Sequence, residues 1–338
     1  MTDRRAMSHD FLSRAGWGSA VRTPLAGDAS ARHYERVRLN GKTAVLMDAP
    51  PAPGQDVGPF LRIGAHLRKL GLSAPAVLAQ DEINGFLLLE DLGDALFSRA
   101  IAADAGLENR LYSSAIEVLA DLARHAPPQG LIRLDAVLMG QMVQPVVDWY
   151  LPGATGTAGD PAPLGHLVET LAGSLVTGPE VLMLRDFHAE NLIWLPDRTG
   201  VARVGLLDFQ DAMAAHPAYD LVSILQDARR DVPPGLETAM IARYADLTGQ
   251  ETAQFAAAYA LLGAQRNLRI LGVFARLCMH YGKVQYVGLI PRVWSYLQRD
   301  LTHPALAPLA DLAAGLLPEP TPDRLQRIAD KCGTIPTL

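Results

Sequence analysis

The chain has very little cysteine. Cys278 and Cys332 are its only two, and they form no CxxC spacing. That excludes a disulfide framework and a cysteine-built zinc site. Long apolar runs are also missing. No stretch approaches the roughly 20 apolar residues that a bilayer span needs. The opening "MTDRRAMSHDF" lacks the apolar core of a secretory signal. Clustered basic charge is absent as well: 30 Lys and Arg stand against 36 Asp and Glu, for a formal net charge of -6, and the basic residues are dispersed. A nucleic-acid surface is therefore not expected. The expectation is a cytoplasmic chain with no membrane or nucleic-acid partner. There is no internal repeat, and the Ala-rich stretches read as helix rather than low complexity.

What is present is the composition of a globular protein, 49% hydrophobic and 20% charged over 338 residues. That length exceeds one small core and points to two lobes. Residues 1–93 read as strands with one inserted helix. "AVRTPLAG" is a candidate strand. "HYERVRL" and "TAVLMDAP" flank Asn40-Gly41, a two-residue hairpin signal because both residues tolerate positive φ. "PFLRIGAHLRKLGL" has helical period and stops at Gly71, and two more strands surround Asn84-Gly85. From Asp94 the pattern turns helical, beginning with "LENRLYSSAIEVLADLARHA". Residues 151–165, rich in Gly, Pro, Ala and Thr, read as a surface loop. "HLVETLAGSLV" and the later Ala- and Leu-rich runs are helical, and "LPEPTPDRLQRI" reads as a short surface helix. The fold class is α+β, with residues 1–93 as one domain and 94–338 as the other.

One stretch breaks the pattern. "MLRDFHAENLIW" places Arg185, Asp186, His188, Glu190 and Asn191 between apolar runs. "NLIWL", the turn "PDRTG" and "VARVGLLDF" then make an antiparallel hairpin. Centring the pairing on the turn sets Asn191 opposite Asp208. An amide oxygen and a carboxylate at one strand end suit Mg²⁺, a hard cation with oxygen ligands. Asp186, on the loop feeding the first strand, can hang over the same site. The arrangement matches a phosphoryl-transfer scheme, in which one carboxylate accepts the nucleophile's proton while Asn and a second Asp hold Mg²⁺ on the ATP phosphates.

"LRDFHAENL" followed by "GLLDFQD" resembles the catalytic and metal-binding motifs of the aminoglycoside phosphotransferase and choline kinase superfamily, built on the protein-kinase-like fold. The resemblance implies a nucleotide-binding N-lobe, a helical C-lobe with the acceptor site, and ATP and Mg²⁺ as cofactors. It makes Asp186 the catalytic base and Asn191 and Asp208 the metal ligands. It places a hinge at "LLLEDLG", where backbone groups from Glu90 to Leu92 meet adenine. Asp220, in "HPAYDLVSI", is a helix N-cap, the brace of the catalytic loop, or both. "GDASAR", "LMDAPP", "FLLLEDLGD", "AYDLVSILQDARRDVP" and "QRNLRILGVFARL" together look like the bacterial anomeric sugar kinases of cell-wall recycling. That likeness implies phosphorylation of the C1 hydroxyl of N-acetylmuramate and N-acetylglucosamine, a product taken up by a uridylyltransferase, and a monomer. Two other readings stay open: an aminoglycoside or other small-alcohol kinase, and a nucleotide-binding pseudokinase.

The chain departs from the kinase pattern at strand 3. Met47 stands near the usual lysine, and the following helix has no acid to pair with one. Joint loss of both partners leaves no uncompensated buried charge. Arg32 is the first candidate to neutralise phosphate instead, with backbone N–H groups of Gly27, Asp28, Ala29 and Ser30 cradling oxygens. His188 reads as a residue that fixes the loop's shape rather than as a base or ligand, and Asp211 reads as a cap. Acceptor candidates are polar residues on otherwise apolar helices: Asp227, Arg229, Arg230, Arg266, Asn267 and Arg269. An arginine fork would suit the lactyl carboxylate of N-acetylmuramate. Trp149 and Tyr150 read as core rather than as a sugar platform.

Overall fold

Alternating apolar and polar residues, punctuated by Asn-Gly turns, build the N-terminal sheet. In the computed structural model, which describes residues 4–25, 32–51, 56–250 and 252–336, the elements up to residue 93 are α1 (Arg4–Arg14), β1 (Val21–Leu25), β2 (His33–Leu39), β3 (Lys42–Asp48), α2 (Gly58–Lys69), β4 (Val77–Asp81) and β5 (Phe86–Glu90). Then come α3 (Phe97–Ala103), α4 (Glu108–Leu122), α5 (Ala136–Met142), a π-turn (Val146–Tyr150), α6 (Leu151–Thr155) and α7 (Ala162–Leu175). Short strands follow: β6 (Val181–Met183), β7 (Leu192–Trp194), β8 (Val204–Leu206) and β9 (Met213–Ala215). The remainder is helical: α8 (Ala218–Leu225), α9 (Pro234–Thr248), α10 (Thr252–Met279), α11 (Ile290–Asp300), α12 (Ala307–Leu316) and α13 (Pro322–Asp330). The fold is α+β, a strand-rich N-terminal region and a helical C-terminal one. Among the described residues no helix is long and apolar enough to cross a membrane.

Two compact units result. The first is Met1–Val118 with Ala189–Ala212, and the second is Leu119–His188 with Met213–Leu338. The switch from strands to helices falls where it was expected, near Gly93. Compactness, however, groups α3, part of α4 and the β7–β8 ladder with the sheet.

In the first unit the antiparallel sheet runs β1-β2-β3-β5-β4. Asn40 and Gly41 both have positive φ (50° and 77°), as the two-residue hairpin demands. Gly71 ends α2 at φ 82°. One sheet face is covered by α1, whose Phe11 and Leu12 pack on Val37, Ala44, Leu46, Phe86 and Leu88. Arg4 anchors that helix, pairing with Asp48 and lying 4.2 Å over the Phe86 ring. Met47 is fully buried, opposite Tyr34 and Leu87 in register. The buried side of α2 is Phe60, Ile63, Gly64 and Leu67.

In the second unit α10 is the central helix. It meets the π-turn so closely that a Cβ on Gly272 would stand 2.1 Å from the Pro145 carbonyl carbon. Gly272→Ala should cost about 1–3 kcal/mol of stability, read as a lower urea midpoint with an unchanged slope. An unchanged midpoint would mean that the helix slides freely there.

Residues 151–165 are not one loop. Leu151, Gly153 and Ala154 are buried in α6, Gly156 ends that helix at φ 79°, and α7 begins at Ala162. Burial overrides the composition: α13 packs on α6, where a Cβ on Gly153 would meet Ile328 at 3.0 Å. The two cysteines, both free, come together at the end of α10. The Gly333 N–H donates to the Cys278 carbonyl at 3.0 Å, and burial, then Cys332, pushes the Cys278 thiol up to about 12.

Candidate active site

The charged loop begins where β6 runs out of partners. Its last pair is Met183 with Met213. The next two N–H groups therefore need acceptors from elsewhere, and Asp220 supplies both. Its carboxylate accepts the Leu184 N–H at 2.5 Å and the Arg185 N–H at 2.9 Å. Of the two readings of Asp220, the structure gives the brace, since Pro217 occupies the N-cap of α8. Asp211 is exposed and lies well before that cap. Arg185 takes φ 72°, the Asp186 N–H donates to the Leu184 carbonyl at 2.9 Å, and the His188 N–H donates to the Asp186 carbonyl at 3.1 Å. The loop is thus a tight turn with Asp186 at its centre. Behind it the Ser223 hydroxyl donates to the Arg185 carbonyl at 3.3 Å, and Arg266 Nη2 donates to Ser223 at 3.0 Å.

His188 is buried, and Arg229 Nη1 lies 3.3 Å from its Nε2. An arginine can only donate, so Nε2 accepts and the ring proton sits on Nδ1. Burial, then the Arg229 and Arg266 charges, hold the imidazole well below its usual pKa. It is neutral and engaged by Arg229, which suits loop support rather than proton transfer.

The first unit holds Asn191 and Asp208. The β7–β8 register pairs Leu192 with Leu206, and the Leu207 N–H donates to the Asn191 carbonyl at 3.0 Å. Asn191 is therefore opposite Leu207, one residue short of the expected Asp208. The connection is asymmetric: the Leu195 N–H closes on the Arg203 carbonyl at 2.9 Å, with a 3₁₀ turn at Gly200–Arg203. Asp208 lies just past the ladder at φ 57°, a conformation that a short polar side chain tolerates. The next residue anchors it. Phe209 is fully buried and stacks on Phe60 at 4.9 Å, and a Cβ on Gly64 would already stand 3.3 Å from its ring. Gln210 Nε2 donates to Asp208 Oδ1 at 2.6 Å and orients the carboxylate. Two oxygen-bearing side chains at one end of a ladder, one of them fixed from behind, fit Mg²⁺, which keeps water and phosphate oxygens in its remaining positions.

Of the expected phosphate cradle, Gly27, Asp28, Ala29 and Ser30 lie outside the described residues. Arg32 hydrogen-bonds the Tyr34 hydroxyl. Burial raises the pKa of that hydroxyl, Arg32 lowers it and the Asp208 charge raises it. Arg32, Tyr34 and Asp208 thus share one neighbourhood within the first unit.

In the segment expected to be the hinge, the Glu90 N–H donates to the Ala76 carbonyl at 2.7 Å. Its carboxylate accepts the Ala76 N–H at 3.1 Å and pairs with Arg198 at 2.6 Å. Glu90 is thereby committed to the fold. Leu92 packs on Gly205, where a Cβ would lie 3.0 Å from it. The segment is pinned by Arg36, which forks onto both Asp91 and Asp94 at 2.6–2.9 Å. Those bonds hold the guanidinium above its ordinary pKa and Asp94 below its own.

The acceptor candidates separate. Asp227 is buried and accepts the Arg229 N–H at 2.8 Å. The Arg230 carbonyl accepts from the Tyr296 hydroxyl at 3.3 Å. Asn267 is fully buried, donating to Gln226 at 2.7 Å and to Asp300 at 3.1 Å. Burial raises the pKa of Asp300 well above the carboxylate range. Asn267 therefore belongs to a core network joining α8, α10 and α11. Tyr150 is core as well, its hydroxyl donating to the Pro318 carbonyl at 2.6 Å, and Trp149 packs on His280 with centroids 6.2 Å apart. Sequence reasoning missed Tyr34, Arg36, Gln210 and Ser223. The period of "HYERVRL" puts Tyr34 and Arg36 on one face of β2, but nothing local marks that face as functional.

Residues 21–258 match the profile of the phosphotransferase enzyme family. An N-acetylmuramate/N-acetylglucosamine kinase of Caulobacter vibrioides is 39% identical, over 91% of this chain and 95% of its own length. A kinase of the same name from Pseudomonas aeruginosa is 33% identical over 89% and 91%. Among solved structures, choline kinase LicA from Streptococcus pneumoniae has a TM-score of 0.61 at 14% identity, covering 87% of this chain and 99% of that one. A spectinomycin phosphotransferase in complex with ADP and spectinomycin has a TM-score of 0.57 at 13% identity, covering 92% and 98%. At such identities the two structures share the fold.

Proposed function

Because the chain belongs to the phosphotransferase enzyme family, we propose that it transfers the γ-phosphoryl group of ATP to the anomeric hydroxyl of N-acetylmuramate and N-acetylglucosamine. The observation that carries this reading is the near full-length likeness to the Caulobacter kinase, whose name gives both sugars.

Asp186 accepts the proton of the sugar's C1 hydroxyl as its oxygen bonds to the γ-phosphorus and the bond to the ADP oxygen breaks. ADP and a sugar 1-phosphate leave. The transition state of phosphoryl transfer is loose, so Asp186 works chiefly by orienting the hydroxyl. An anomeric hydroxyl is more acidic than an ordinary alcohol, which lowers the demand on the base. Asn191 and Asp208 hold Mg²⁺, which neutralises charge on the phosphates when bound. Arg32 stands in for the missing strand-3 lysine, and backbone groups between Glu90 and Leu92 receive adenine. Asp220 and His188 keep the loop in shape.

The test is an acceptor panel of N-acetylmuramate, N-acetylglucosamine, kanamycin and choline with Mg·ATP, scored by ADP release and product phosphate. Turnover with the sugars is expected. Turnover with kanamycin or choline alone sinks the proposal, and ATP binding without any turnover favours a pseudokinase. Gln210→Ala, which frees Asp208 to rotate, should raise the Mg²⁺ needed for half-maximal activity about 10- to 100-fold. An unchanged Mg²⁺ titration would remove Asp208 from the metal site.

A further inference from the structure

Helix α10 carries Arg266 and Arg269 one turn apart, on the same face. Among the described residues neither makes an ion pair. Arg266 is 6% exposed, its sole hydrogen bond runs from Nη2 to Ser223 at 3.0 Å, and Nη1 is buried with no partner. Arg269, half-buried, has no hydrogen-bond partner among the described residues. Its titratable neighbours are Tyr219, Arg185, Asp186 and Arg266, the last three charged. Around one loop the second unit thus gathers Arg185, Arg229, Arg266 and Arg269 against Asp186, Asp220 and Asp227.

Buried guanidinium groups are ordinarily paired, because desolvating a lone cation is costly. Arg266 and Arg269 sit beside the proposed base with cationic surplus and no carboxylate bound. A cation left in this state awaits an anion. The groups proposed for the phosphates, Arg32 and the metal ligands, all belong to the first unit. The remaining anion in the proposed reaction is on the acceptor. N-acetylmuramate differs from N-acetylglucosamine by a lactyl ether, which adds one carboxylate, and a planar guanidinium fork binds that group in two-point fashion.

We infer that Arg269, backed by Arg266, receives the carboxylate of an acidic acceptor, so that the site favours N-acetylmuramate over N-acetylglucosamine. Arg269 is the specificity residue. Arg266, tied through Ser223 to the Arg185 carbonyl, keeps positive charge behind it and couples α10 to the loop. The inference rests on the proposed sugar kinase reading.

Its test is the kinetics of wild type, Arg269→Gln and Arg269→Lys on the two sugars side by side, with Mg·ATP binding as the folding control. In Arg269→Gln the ratio of kcat/KM for N-acetylmuramate to that for N-acetylglucosamine should fall tenfold or more, mainly through KM, and Arg269→Lys should recover part of it. An unchanged ratio overturns the inference; both sugars slowed by one factor would make Arg269 a ligand of the transferred phosphate. Calorimetric binding of the two sugars separates this from failure of the kinase reading. If wild type phosphorylates neither sugar, the function proposal falls. The anion site then stands only if wild type binds N-acetylmuramate at least tenfold tighter and Arg269→Gln abolishes that preference.

Discussion

Asp186→Asn should lower kcat for sugar phosphorylation by about 10²- to 10⁴-fold, with Mg·ATP binding retained. The turn that carries Asp186 is held by its backbone: its N–H donates to Leu184, and its carbonyl accepts from His188. Both bonds survive an isosteric amide. What disappears is the negative oxygen that orients and accepts the proton. A second readout follows from electrostatics. The Asp186 charge is one cause of the raised Asp220 pKa, so the substitution should move Asp220 downward. Turnover within twofold of wild type would remove Asp186 from the chemistry.

Asp220→Ala should destabilise the protein by roughly 2–5 kcal/mol, because the buried Leu184 N–H and the part-buried Arg185 N–H lose the carboxylate that accepts them. The loss depends on pH. Burial pushes Asp220 up to about 7, outweighing the two N–H donors and Arg266, which pull it down, while Asp186 adds to the rise. In the unfolded chain an aspartate titrates near 3.9. Between about pH 4 and 7 the folded state therefore holds a proton that the unfolded chain has released. The contribution is full below about pH 4 and is lost as pH rises towards 7. The melting-temperature gap between wild type and Asp220→Ala should be widest at about pH 4 and narrow steadily up to pH 7.5. A gap that widens with pH would mean that Asp220 is a fully charged brace with a depressed pKa.

Local chemistry made much of the fold legible. Asn40-Gly41 specified its hairpin because only a few residues accept positive φ at both positions. Gly71 closed α2 for the same reason. Of the sheet strands, β2 followed from its two-residue period and the others from short runs bounded by turn residues. The motif around Asp186, Asn191 and Asp208 could be read because its spacing is short. By contrast, α1 has few apolar residues, and only the sheet face that receives Phe11 and Leu12 makes it a core element. The helical turn at 151–155 was hidden by composition and exists because α13 packs on it.

By itself, then, the sequence determined most of the elements, the family motif and the residue types available for phosphoryl transfer. These depend on backbone preferences and periodicity within about ten residues. The tertiary structure decided their assignments. Arg36 found Asp91 and Asp94 more than fifty residues away. Asn267 went into the core with Gln226 and Asp300, Asp220 became a brace instead of a cap, and Arg266 and Arg269 were left without a carboxylate among the described residues. Those outcomes turn on which polar groups meet once water is excluded. A polar side chain looks the same in sequence whether it will be satisfied by the fold or left for a ligand, and only the packed chain separates the two.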